Sequence, residues 1–174
     1  LRFLFLFGMI TFTMLLGLLP ITVLQVSDEG REHENPYLVK QWISSKKDTF
    51  TIIWTHSVTH QPVTEVFLIN DDLSIGIVEM IFNEPGPNLP SAPEGSTRWE
   101  IKDGMFRVYN YDTVFEKLPV RIGQVVADHT LYYRNQTIIL RELSRPGGYI
   151  TIQARRIKII QFLFEEGRLW MKKR

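Results

Sequence analysis

The chain contains no cysteine. That excludes disulfides, cysteine-ligated metals and thiol catalysis. It also lacks a charge imbalance. Twenty Lys and Arg stand against 19 Asp and Glu, a net of +1, so nothing attracts the chain to nucleic acid as a whole. Internal repeats and low-complexity tracts are absent, and so is the G-x-S-x-G turn of a serine hydrolase. Helical periodicity is scarce, and period-two alternation dominates.

What the chain has first is a long uncharged run. Residues 3–26 hold 24 positions without a charged side chain. A bilayer core takes ~20 apolar residues as a helix. A cleaved signal has a shorter apolar core of ~7–15 residues and a small-x-small site, which residues 24–27 do not offer. The run predicts an uncleaved single-pass anchor over 1–26, a polar tether over 27–36 and an extracytoplasmic β domain over 37–174. Arg2 precedes the run, and residues 27–34 carry four acids against Arg31. This places the N-terminus in the cytoplasm and the domain outside.

The strand segments are 37–43, 49–58, 63–70, 73–83, 97–102, 105–110, 120–133, 137–143 and 149–160. Together they predict an all-β antiparallel barrel or sandwich. Side-chain pattern sets three hairpins in register. The first pairs Ile52 with Ile69, Trp54 with Phe67, His56 with Glu65 and Val58 with Val63. The second turns at Asp103-Gly104, a strong type I′ signal. It pairs Trp99 with Val108, Glu100 with Arg107 and Ile101 with Phe106. The third turns at Asn135-Gln136 and pairs Tyr133 with Ile138, Leu131 with Leu140 and His129 with Glu142. Residues 84–96 hold four prolines, which forbid a helix or a central strand and leave a stiff loop. Residues 155–174 carry seven Lys and Arg against Glu165 and Glu166 among large apolar residues. They read either as a last core strand with a solvated tail or as an amphipathic segment resting on lipid or a membrane partner.

Chemistry-bearing residues are few. His56 and Glu65 fall on a face that otherwise reads as core. The plain reading is a structural pair that fixes register, and the sharper one is a ligand contact at the rim of a cavity. Ser57 cannot form a dyad with His56, because successive strand residues point to opposite faces. His56, Glu65 and His129 would satisfy a three-ligand metal count, but nothing in their spacing demands a metal, and no cofactor is implied.

Trp54-Thr55-His56-Ser57-Val58 with Glu65, then Gly86-Pro87-Asn88-Leu89-Pro90-Ser91, then Arg121-Ile122-Gly123-Gln124 with His129-Thr130, resemble the prokaryotic family called domain of unknown function 1850. The resemblance runs over nearly all of the chain past the anchor. Where the family loop reads Gly-x-Gly, Asn88 holds the second glycine position. Asn tolerates a left-handed backbone better than most residues. Family members are small proteins with an N-terminal hydrophobic segment, and their genes often neighbour TAXI-type TRAP transporters. The resemblance implies a non-catalytic accessory role in solute uptake, with a TRAP permease or TAXI solute-binding protein and membrane lipids as partners. His56, Glu65, Pro90, Arg121 and His129 are the residues expected to meet a ligand or partner. The alternatives are an independent cell-envelope module binding a small anion or ion, with Arg121 as anchor, and, more remotely, a hydrolase.

Overall fold

A computed structural model describes residues 14–30, 36–124 and 128–172. Two antiparallel sheets form a sandwich. The smaller contains β1 (Pro20–Gly30), β2 (Tyr37–Ser44), β9 (Leu118–Arg121) and β12 (Tyr149–Lys158), in the order β2-β1-β12-β9. The larger runs β11 (Gln136–Ile139), β10 (Thr130–Tyr133), β3 (Thr49–Thr55), β4 (Pro62–Ile69), β5 (Ile75–Phe82), β7 (Met105–Tyr109) and β6 (Arg98–Lys102). The short β8 (Val114–Phe115) pairs with β5. A final helix, α1 (Ile159–Lys172), follows β12 directly.

Alternation buries one face of each sheet against the other. Phe50, Ile52, Phe67, Ile69 and Ile75 from the larger sheet meet Leu24, Val26, Leu118, Val120, Ile150 and Ile152 from the smaller. Polar ties cross between the layers. The Tyr133 hydroxyl donates to Asp48 at 2.7 Å and lies 2.8 Å from the Ser44 hydroxyl, and Trp42 Nε1 donates to Gln136 at 3.0 Å.

The larger sheet extends beyond the smaller one. There β4, β5 and β7 build a second cluster from Val63, Met80, Phe82 and Val108. The proline-rich loop closes over it by inserting Leu89, which is buried.

The expected anchor over 1–26 and tether over 27–36 give way over residues 20–30. These form β1, paired on both sides by β2 and β12, with Val23, Leu24 and Val26 fully buried. The physical reason is that a strand covered on both faces also carries a continuous apolar run. Ile21, Thr22, Val23 and Val26 are moreover β-branched, which favours strand. The uncharged run thus joins two elements, and β structure starts seventeen residues before the expected position 37. Residues 14–17 are helical. The other parts of the expected anchor and tether, 1–13 and 31–35, lie outside the described residues. Among the described residues, no helix is long and apolar enough to cross a membrane.

The second hairpin has the expected register, with Trp99 opposite Val108 and Ile101 opposite Phe106. The other two differ. β3 and β4 pair Ile52 with Glu65 and Trp54 with Val63, so His56 does not face Glu65. The strands stop earlier than expected, because residues 56–61 close on themselves. His56 N donates to the Gln61 carbonyl, and His60 N to the His56 carbonyl. In the third hairpin Leu131 faces Ile138 and Tyr133 faces Gln136. Arg134 and Asn135, both at positive φ, make a two-residue turn. His129 therefore does not pair with Glu142. Leu140–Glu142 instead form a 3-10 turn. The expected strand 120–133 divides into β9 and β10, one in each sheet.

Candidate functional site

The edge strand β9 does not close fully over the larger sheet. A cleft of about 320 Å³ remains, lined by Ile52, Trp54, Glu65, Phe67, Ile77, Phe115, Leu118, Pro119, Val120, Arg121 and His129. Strand alternation places Ile52 and Trp54 of β3 and Glu65 and Phe67 of β4 on this inner face. A carboxyl group is thereby set among apolar and aromatic walls.

Burial pushes Glu65 up to about 7, against a hydrogen bond from Trp54 that pulls the other way. Charge on a carboxylate is disfavoured wherever water cannot solvate it. Tyr111 feels the same site. Burial and then the Glu65 charge push its hydroxyl to about 12. That hydroxyl is buried without a hydrogen-bond partner among the described residues.

Arg121 ends β9 at the exposed rim, with its guanidinium 5.8 Å from the Tyr149 ring centroid. His129 precedes β10, and its ring stacks on Trp54 at 5.9 Å with an interplanar angle of 24°. The cleft therefore combines a titrating acid in its depth, a permanent cation at its mouth and a stacked aromatic–imidazole wall. Among the described residues its lining carries no serine, threonine or lysine.

Three of the five expected residues, Glu65, Arg121 and His129, line this one cleft. The other two lie elsewhere. His56 is buried at the end of β3, beyond Trp54, whose ring is 5.9 Å away. Its Nδ1 accepts from the Thr59 backbone N–H at 3.1 Å, and its Nε2 donates to the Pro87 carbonyl at 2.7 Å. Both ring nitrogens are thus engaged in pinning the proline-rich loop to the 56–61 turn. Gln61 reinforces this, accepting from Asn83 N and Glu84 N and donating to the Glu84 carbonyl. Asn88 takes φ 63, the left-handed conformation a glycine would supply there. Pro90 follows the buried Leu89 in that loop and does not line the cleft. Among the described residues no three His, Asp or Glu gather as metal ligands.

Sequence reasoning missed Trp54 and Tyr111 as site residues. Trp54 read as an ordinary core aromatic; in the structure it lies diagonally across β3–β4 from Glu65 and hydrogen-bonds its carboxyl. Tyr111 lies in a segment with no local motif.

These observations define an all-β sandwich with an open lateral cleft. A family model described as Domain of unknown function (DUF1850) matches residues 50–140, just over half of the chain, and the protein belongs to that family. The match runs from β3 to β11 and includes Glu65, Arg121 and His129. No curated protein and no solved structure matches the chain.

Proposed function

We propose that the protein is a membrane-tethered, non-catalytic module that holds a small organic anion in the lateral cleft and serves solute uptake beside a TAXI-type TRAP transporter. The observation that carries this reading is the cleft itself. Arg121 at the mouth offers a planar pair of donors suited to a carboxylate. Apolar walls behind it suit an aliphatic or aromatic body, and the volume is at the small end for ligand pockets. Glu65, half protonated near neutral pH, meets a hydroxyl or carbonyl at the inner end of such a molecule.

Residues 3–19 supply the tether. They keep 17 uncharged positions ahead of β1, about the minimum for a membrane helix. The transporter context rests on the family resemblance.

The test is purification of the tagged full-length protein from its native membranes. Mass spectrometry of the bound small molecules should find a carboxylate that is lost on Arg121→Ala, with a permease or solute-binding protein in the same eluate. A carboxylate without a transporter component favours an independent cell-envelope binding module. An empty cleft in wild type under gentle extraction contradicts the reading.

A further inference from the structure

The surface carries a second feature, remote from the cleft and independent of it. α1 is apolar on two sides. Half-buried Phe162 and Leu169 lie toward the smaller sheet, where Gln41 Nε2 donates to the Phe162 carbonyl at 3.2 Å and Gln25 Nε2 to Glu165 at 3.0 Å. The opposite side presents Ile160, Leu163, Phe164, Trp170 and Met171, each more than half exposed. Their spacing of three, four and seven places them along one stripe. A stripe of five large apolar side chains in solvent needs an occupant.

The chain itself indicates which one. Residues 14–19 run alongside the start of α1. Ile159 N donates to the Leu19 carbonyl at 3.1 Å, and the Cβ of Ile160 lies 3.5 Å from the position a Cβ on Gly17 would take. Met14, Leu15, Leu16, Leu18 and Leu19 are exposed as well. Ahead of them the sequence continues through residues 3–13 without a charge. Two chain segments 140 positions apart thus bring apolar side chains to one neighbourhood, and one of them is the end of the proposed tether. Basic residues flank the patch. Arg155, Arg156, Lys158, Arg168 and Lys172 are all exposed. α1 is about 21 Å long at 1.5 Å per residue, too short to cross a ~30 Å hydrocarbon core. A short helix with Trp, Phe and Leu on one stripe and Lys and Arg beside it lies in the membrane plane.

We propose that α1 lies in the headgroup region of an anionic lipid bilayer, outer stripe inward, and with residues 14–19 holds the sandwich in a fixed orientation on the membrane. Trp170 then sits at the depth aromatic side chains favour. The exposed cations meet lipid phosphates, which adds a salt-sensitive attraction.

The absence of cysteine makes the test direct. Single variants Leu163→Cys, Met171→Cys, Glu166→Cys and Lys102→Cys of the full-length protein are spin-labelled and reconstituted into phosphatidylcholine–phosphatidylglycerol vesicles. Labels at 163 and 171 should be severalfold more accessible to oxygen, relative to a water-soluble nickel reagent, than labels at 166 and 102. Equal nickel accessibility at all four positions overturns the proposal. So does spin–spin broadening at 163 and 171 without oxygen enrichment, which means a second copy covers the stripe. Shielding that appears only when a permease is added also overturns it, in favour of a protein partner.

Discussion

The loop-capped end of the larger sheet and the lateral cleft draw on the same β3–β4 hairpin, yet they finish differently. At the capped end His56 has partners for both ring nitrogens, Gln61 is bonded three times over to residues 83–84, and Leu89 fills the remaining space. In the cleft, two strand positions from Trp54, Glu65 is held in a protonation state that water would not give it, and a stacked imidazole faces an open mouth. Both regions bury polar groups. At the capped end the His56 ring and the Gln61 side chain are bonded internally, while Trp99 Nε1 and the Tyr111 hydroxyl, packed against the same cluster, are buried without a partner among the described residues. The cleft keeps an open mouth beside Glu65, whose carboxyl takes a hydrogen bond from Trp54. The lateral cleft lies where packing stops, and the capped end is the frame beside it.

The sharpest break of this comparison is His56→Ala. It removes the bond to Pro87 and the acceptor for Thr59, and it leaves a cavity under Gly86. Chemical denaturation should show a loss of about 2–4 kcal/mol. An unchanged midpoint would mean that the loop is not pinned there.

Glu65→Gln should act in the opposite direction, because the cleft opposes charge. The ordinary value of 4.5 is raised to about 7. Below pH 4.5 both folded and unfolded chains are protonated, and stability does not depend on this group. Between 4.5 and about 7 the folded chain keeps a proton that the unfolded chain releases, so stability falls as pH rises, then levels off. The total loss is on the order of 3 kcal/mol. Denaturation series at pH 5 and pH 8 should show that slope in wild type and its absence in Glu65→Gln, which is then the more stable protein at pH 8. A variant that is less stable than wild type at pH 8 would mean that the carboxylate has a charge partner.

Gly86→Ala probes the capped end more gently. An added Cβ would lie 3.1 Å from His56 Cε1. Crowding of this kind costs about 1 kcal/mol when the neighbours shift by tenths of an ångström. Gly86→Ala in a His56→Ala background should cost less, which thermal melts of the double-mutant cycle would reveal. Arg121→Ala should have the smallest effect on stability, within about 0.5 kcal/mol, since the side chain is exposed and leans only on Tyr149.

The contrast also explains what the sequence disclosed. The Asp103-Gly104 hairpin was legible because its turn chemistry is local; both residues take the positive φ a type I′ turn requires. The β3–β4 register was misplaced because its loop is closed by His56, Gln61 and the proline-rich loop, and contacts that distant leave no turn motif. The shift is even, so every side chain stays on its face. That is why Glu65 was correctly assigned to an inner face although its neighbour was wrong. Arg121 and Glu65 sit on different sheets, and no spacing encodes that β9 stops short over β4. β1 was hidden because a strand buried on both faces and a membrane helix both read as uninterrupted apolar residues.

The central claim is that the lateral cleft receives a small carboxylate anchored by Arg121. Melting temperatures of full-length wild type and Arg121→Ala, each with hexanoate, benzoate and related acids at pH 6 and pH 8, test it most directly. The account predicts that at least one acid raises the wild-type melting temperature in proportion to the logarithm of its concentration, and that Arg121→Ala, equally stable alone, does not respond. An equal rise in both proteins, or no response from wild type across the panel, would contradict it.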